Sequence, residues 1–381
     1  MKNNNSKVKA IIAGIGSYND LGLIRSCGEA GISSIYLIEG SQLIVPIYRS
    51  RYVDSFSFMD FTVESIRKKI WELTPNDDIY YIVFPASDSA VLVFDILASK
   101  LELPKNVYVS HANGNMRNIM NKSVMAQMAL ESNLEIPQTI ACKLDSKNID
   151  IQLRFPIIIK PVCSTDGEKS DIAVALTNNE FQNIFQKLKD KGYKEILIQE
   201  YIHTQTSREI GITGISYPDG NVEVYGYIDK IRNKNKVNNY GIYHPNINVQ
   251  CLDSLKSYIR LTGYIGIFDT DFIEDRGKWY FIECNFRNGA YGYCTTKAGF
   301  NMPSRFAKRI IGNIERLKPL GSMRDITFME ERTDIFNVLD HSISWRKWLK
   351  EFYTIDTFLW WSWNDPKPLL RIPYFIKRYF R

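Results

Sequence analysis

Histidine is scarce in this chain of 381 residues: there are four, at 111, 203, 244 and 341, and none sits at helical spacing from another. Neither a zinc centre nor a histidine-based nucleophilic triad is therefore expected. The six cysteines, at 27, 142, 163, 251, 284 and 294, form no CxxC pair and read as reduced thiols rather than a disulfide framework. No apolar run approaches the ~18–20 residues that a membrane-spanning helix needs. The polar stretch Met1–Lys9 lacks the apolar segment of a secretory signal, so a cytoplasmic location is the expectation. Charge of one sign does not dominate either: 48 Lys and Arg against 42 Asp and Glu leave a net charge of +6. With 45% hydrophobic residues, the composition excludes a disordered, collagenous or fibrous chain. The length calls for two or three subdomains.

Short apolar runs alternating with helical spacings fill the first part. VKAIIAGI (8–15), IYLI (35–38) and YYIVF (80–84) read as buried strands, and 22–31, 62–73 and 87–100 as helices. That alternation predicts a parallel α/β unit over residues 1–110. Its first turn, GIGSYN (14–19), matches a dinucleotide fingerprint only in part, because Asn19 replaces the third glycine. We read it as a tight βα turn without a nicotinamide cofactor. A helix over 118–132, strands at 155–160 and 195–199 and a helix at 179–191 predict a second unit, 111–202. Two hairpins follow, 210–231 turned by Pro218-Asp219-Gly220 and 265–283 turned by 274–277, with a helix at 303–313. They build a third unit, 203–318, before an extension over 319–381.

Chemistry concentrates in the second and third units. Lys122 opens a helix and Lys160 ends an apolar strand. Two ammonium charges of this kind suit the phosphates of a nucleotide. The small polar loop 163–170, with Ser164, Thr165 and Gly167, is suited to cradle phosphate oxygens through N–H and hydroxyl groups. Gln199, Glu200, Tyr201 and Ile202 end a strand where backbone groups can read the edge of adenine, and Glu209 is placed to accept from ribose hydroxyls. In FDTDFIEDRGKWYFIECNFRNG (268–289) a hairpin sets Asp271 across from Glu283, with Asn285 two residues on and on the same face. Three hard oxygen donors suit Mg²⁺, which completes its shell with phosphate and water. Arg287 continues on that face, where it can hold a reacting anion.

Lys122, FPIIIKP (155–161), ILIQEYI (196–202), Glu209 and Asp271…Glu283-Cys284-Asn285-Phe286-Arg287 together resemble the ordered motifs of the ATP-grasp carboxylate–amine ligases. The resemblance covers roughly residues 8–315. It implies an α/β chain, with a Rossmann-like domain ahead of a two-lobed ATP-grasp fold. It also implies ATP and Mg²⁺ (or Mn²⁺) as cofactors and amide formation through an acyl phosphate. Arg287, Lys160 and Lys230 would then be catalytic, with Lys230 on the γ-phosphate. NGAYGYCTTKAGFNMP (288–303) is most similar to D-aspartate ligases and to enzymes associated with surface polysaccharides. This implies an amino-acid carboxylate such as D-aspartate, with Arg51, Asp88 and Lys297 as candidates to grip it. The loop carries one glycine, Gly167, where many members have several.

The end of the chain is distinctive. Trp345–Arg381 holds eight Lys and Arg against three Asp and Glu, and five of the seven tryptophans fall between 345 and 363. The preferred reading is an amphipathic helix packed on the body, and the sharper one is contact with a membrane that carries a lipid- or sugar-linked acceptor. No nucleic-acid motif accompanies this basic segment. A homo-oligomer is the expectation for assembly. Carboxylation or carbamoyl-phosphate chemistry, and a non-catalytic ATP-binding module, are the alternatives.

Overall fold

The computed structural model describes residues 7–144, 153–162, 171–202, 207–234, 237–245, 251–312 and 324–370. Five parallel strands form the first sheet: β1 (Lys7–Gly14), β2 (Ser33–Glu39), β3 (Val53–Met59), β4 (Ile79–Pro85) and β5 (Val107–Val109), in the order β3-β2-β1-β4-β5. Helices α1 (Tyr18–Glu29), α2 (Val63–Leu73) and α3 (Asp88–Ser99) make the crossovers. The uninterrupted apolar run of β1 has a direct cause. Ala10 and Ile12 enter the core under α1, while Ile11 and Ala13 enter a second core with Ile66, Ile70 and Phe94. A strand covered on both faces needs apolar residues at every position.

The second sheet is antiparallel. It consists of β6 (Thr139–Lys143), β7 (Ile157–Pro161), β8 (Ala173–Ala175) and β9 (Glu195–Glu200), ordered β6-β9-β7-β8. Helices α4 (Met116–Ile119) and α5 (Lys122–Glu131) lead into it. One face is covered by α6 (Asn178–Asp190), which buries Phe181, Phe185 and Leu188 on a single stripe.

Seven strands make the third sheet: β10 (Arg208–Ser216), β11 (Val222–Lys234), β12 (Val237–His244), β13 (Gly266–Asp275), β14 (Lys278–Asn285), β15 (Ile326–Met329) and β16 (Thr357–Phe358). Their order is β14-β13-β10-β11-β12-β15-β16. Helices α7 (Leu252–Thr262), α8 (Gly292–Lys297) and α9 (Met302–Ile310) pack around it, and α10 (Glu331–Leu339) and α11 (Trp345–Thr354) follow. The end of the chain thus supplies two strands of this sheet.

That final segment is also fastened to the first domain. The side chains of Arg25 and Asp365 are each 1% exposed and pair at 3.2 Å. Arg25 also donates to the Trp360 carbonyl at 2.7 Å, and Asp365 accepts from Ser50 Oγ at 2.8 Å and from the Arg51 N–H at 2.9 Å. Trp348 and Trp360 are buried, as the packed reading of the tail requires. Truncating one member of such a pair strands the other charge in the interior. Asp365→Ala should therefore lower the unfolding free energy by roughly 3–5 kcal/mol, measured by chemical denaturation. An unchanged midpoint would show that the clasp contributes nothing.

Candidate active site

Strand register gathers the functional side chains of the third sheet. Asp271 lies opposite Glu283, and Asp269 opposite Asn285. On the neighbouring strands, Gly211 faces Asp271 and Glu209 faces Lys230. Because alternate residues share a face, Glu209, Lys230, Asp269, Asp271, Glu283 and Asn285 all project from one side of the sheet. The hairpin that the sequence predicted is present, with this register.

Like charges crowded on one face require compensation. Lys230 Nζ pairs with Asp271 Oδ1 at 2.5 Å, and Lys122 Nζ lies 3.8 Å from Glu283 Oε2. Burial works against the Lys230 charge, but Asp271, Tyr291 and Asp269 prevail and raise its pKa. Its ammonium also lies 5.7 Å from the centre of the Tyr291 ring. Arg287 Nε donates to Asp88 Oδ1 at 2.7 Å, and Arg287 Nη2 to Asn285 Oδ1 at 3.3 Å. Asp88 belongs to the first turn of α3, so this ion pair joins the first domain to the third sheet. Burial, reinforced by the Asp271 charge, pushes Asp269 up to about 7. Its Oδ1 is buried without a hydrogen-bond partner among the described residues.

From the second sheet, Lys160 Nζ donates to Gln199 Oε1 at 2.7 Å, and Gln199 Nε2 donates to Thr139 Oγ1 at 2.8 Å. The backbone N–H of Lys122 donates to the Val162 carbonyl at 2.9 Å, which ties α5 to the end of β7. Lys122, Lys160, Gln199, Thr139, Ala126 and Ile136 line a narrow slot, open to solvent and enclosing about 20 Å³, together with Phe281 and Ile282 of β14. A slot of mixed polar and apolar lining, with two cations, therefore lies between the second and third sheets.

Other expected site residues have partners within the chain. The Glu200 and Tyr201 N–H groups donate to the carbonyls of Gln138 and Pro156. Glu209 accepts from Asn233 Nδ2 at 2.8 Å. Of the three residues expected to grip substrate, only Asp88 reaches the centre. Arg51 contacts the Asn364 carbonyl at 3.3 Å and Lys297 pairs with Glu29 at 2.9 Å. Gly289 lets the backbone pass close to Asp269, since a Cβ there would stand 2.2 Å from Asp269 Oδ2. Ser164, Thr165 and Gly167 lie outside the described residues. Sequence reasoning passed over Asp269, although the alternation of FDTD places it on the same face as Asp271.

The first turn is satisfied from within the chain. Asp20 is fully buried and accepts from the Gly16 N–H at 2.8 Å, Ser17 Oγ at 2.7 Å and Tyr36 Oη at 2.6 Å. Its carboxylate takes the donors that a dinucleotide phosphate would use. Gly16, at φ +88°, supplies the backbone conformation that the turn needs.

Residues 120–234 match the family of the RimK-like ATP-grasp domain. Among solved structures, the fold resembles the L-amino acid ligase of Bacillus licheniformis, at 16% identity over 84% of this chain and 78% of that one, with a TM-score of 0.61. It also resembles the N5-carboxyaminoimidazole synthetase of Staphylococcus aureus, at 14% identity over 90% and 89% of the two chains, TM-score 0.64. The biotin carboxylase domain of Hydrogenobacter thermophilus 2-oxoglutarate carboxylase, solved with MgADP and bicarbonate, matches at 16% identity over 84% and 72%, TM-score 0.63. The matched segment, residues 120–234, is thus similar to an ATP-grasp domain. Identities this low establish the shared fold. No curated protein sequence matches the chain significantly.

ATP-grasp enzymes use ATP with Mg²⁺, and the donor set here fits that ion. Among the described residues, no three His, Cys, Asp or Glu side chains form a ready-made cage. Mg²⁺ commonly takes one or two carboxylates and completes its shell with phosphate oxygens and water. Asp271 and Glu283, opposed across the hairpin with Asn285 beside them, match that pattern.

Lys160 carries a pH signature. Burial pulls its ammonium down to about 8, against the opposing influence of Glu283. Below that pH the free protein presents a cation; above it, an anion can bind to the charged form only by taking up a proton. Affinity for ADP should fall by up to about tenfold per pH unit as pH rises from about 8 to 9, while Lys160→Met gives a flatter and weaker profile. Isothermal titration at several pH values decides, and equal slopes for the two proteins would contradict the assignment.

Proposed function

We propose that this ATP-grasp enzyme activates a carboxylate as an acyl phosphate and transfers the acyl group to an amine. The single observation that carries the reading is the face of the third sheet, where Asp271, Glu283, Asn285, Lys230 and Arg287 converge opposite Lys122 and Lys160. In the reaction, a substrate carboxylate oxygen bonds to the γ-phosphorus of ATP as the bond to the β,γ-bridging oxygen breaks, releasing ADP. The amine nitrogen then bonds to the acyl carbon, the bond to phosphate breaks, and the amine gives up a proton.

The chain's part is positioning and charge neutralisation. Lys122 and Lys160 hold phosphate oxygens at the mouth of the slot, with the loop hydroxyls of Ser164 and Thr165 and the Gly167 backbone as further contacts. The apolar walls, including Ile136 and Phe281, take the adenine, with Gln199 and Ile202 at its edge and Glu209 toward the ribose. Asp271, Glu283 and Asn285 would hold Mg²⁺, which would supply positive charge beside the phosphates. Lys230, paired with Asp271 in the free protein, would meet the γ-phosphoryl group. Arg287, aligned by Asp88, faces the acyl phosphate and the oxyanion formed when the amine attacks.

The substrate we favour is an amino-acid carboxylate such as D-aspartate, on the similarity of residues 288–303 to D-aspartate ligases. Its acceptor would belong to cell-wall or surface-polysaccharide assembly at the inner face of the membrane. Two of the matched folds belong to a carboxylase domain and a carboxyaminoimidazole synthetase, which supports bicarbonate as a second candidate for the activated group.

Mg²⁺-dependent ADP release, run with hydroxylamine across D- and L-amino acids and bicarbonate, tests the reading. One carboxylate should give turnover and a trapped hydroxamate. Glu283→Gln should abolish turnover with the fold retained, and Arg287→Lys should lower kcat by about 10²–10³. Full activity in Glu283→Gln would remove the metal assignment.

A further inference from the structure

We propose that the outer face of α11 is a docking surface for an anionic phospholipid membrane. This surface is independent of the catalytic centre and does not rest on the ligase reading. The inner side of α11 is fixed to the body: Trp348 Nε1 donates to Asp334 Oδ2 at 2.9 Å, and the Trp348 ring stacks on Phe352 at 4.9 Å. Glu351, also turned inward, accepts from Arg232 at 2.9 Å. Arg232 in turn grips both oxygens of Asp334 at 2.7 Å.

The other side of the helix is of opposite character. Trp345, Leu349 and Tyr353 recur every fourth residue and are 53%, 42% and 82% exposed. At 3.6 residues per turn they form one stripe about 80° wide. Arg346 and Lys350 border that stripe, and Lys347 lies beyond them; all three are exposed. The helix's single acidic residue is the inward-facing Glu351. An aromatic and aliphatic stripe with a cationic border is the pattern of a helix lying in a membrane interface. The Trp and Tyr rings sit at headgroup depth, Leu reaches the acyl boundary, and Arg and Lys meet lipid phosphate. A nucleic acid would satisfy the cations but would offer no apolar phase to Leu349.

Elsewhere in the final segment, Trp363 and Leu370 are also exposed, at 84% and 62%. Because α11 is already held rigid from within, docking would order little new backbone.

The test is flotation of the full chain with vesicles of phosphatidylcholine containing phosphatidylglycerol, against phosphatidylcholine alone. The wild type should float with the anionic vesicles, and salt should weaken the association. The variant W345S/L349S/Y353S should partition at least about tenfold more weakly. R346E/K350E, which touches no buried residue, should lose the preference for phosphatidylglycerol. Both variants should keep the wild-type circular dichroism and melting temperature. Absence of wild-type flotation, equal flotation of the variants, or equal binding to neutral vesicles would overturn the proposal. So would a wild-type dimer that W345S/L349S/Y353S converts to monomer, because the stripe would then be an interface between copies.

Discussion

Charge compensation on one face of a β-sheet governs the architecture of this protein. Asp269, Asp271 and Glu283 project from adjacent strands, Asp269 buried and the other two 26% and 34% exposed at the side chain, and such crowding of like charge is costly unless cations share it. Lys230 and Lys122 supply two, from the same sheet and from the facing helix. Arg287 supplies a third and is itself aligned by Asp88 of the first domain. Each cation arrives on a different element, so the site exists only when the three sheets are assembled. On the proposed reading, a metal ion with its nucleotide would replace one set of partners by another. Lysines that neutralise carboxylates in the free protein would then become available to phosphate, which would couple ligand binding to local rearrangement without a change of fold.

Much of this was legible in the residues. The hairpin around Glu274–Gly277 fixes register through a short turn, so Asp271, Glu283 and Asn285 could be placed on one face from alternation alone. The parallel first sheet was legible because burial on both sides forces unbroken apolar runs such as AIIA in β1. Strands with weaker patterns were not. β3 lies at the sheet edge with exposed Asp54, Ser55 and Phe56. β12 reads VNNYGIYH, too polar to declare itself. The helix over 252–262 was also passed over, although Leu255, Tyr258 and Ile259 bury one stripe.

Contacts between distant segments left no local trace. No periodicity connects Arg25 with Asp365, yet this buried pair fastens the end of the chain to the first domain. Asp88 was expected to grip substrate, and only the tertiary fold shows it paired with Arg287. Asp20 is a further case: the GIGSYN turn was read as a tight βα connection, but the carboxylate that satisfies its donors could not be identified from the motif.

The central claim is that phosphate is transferred to a carboxylate oxygen, and isotope tracing tests this most directly. Turnover with carboxylates labelled with ¹⁸O, followed by ³¹P NMR of the released phosphate, reports which oxygen accepted the γ-phosphoryl group. The account predicts one labelled oxygen in each phosphate and none in the nucleotide. Unlabelled phosphate during active ADP release, or label in AMP, would contradict it.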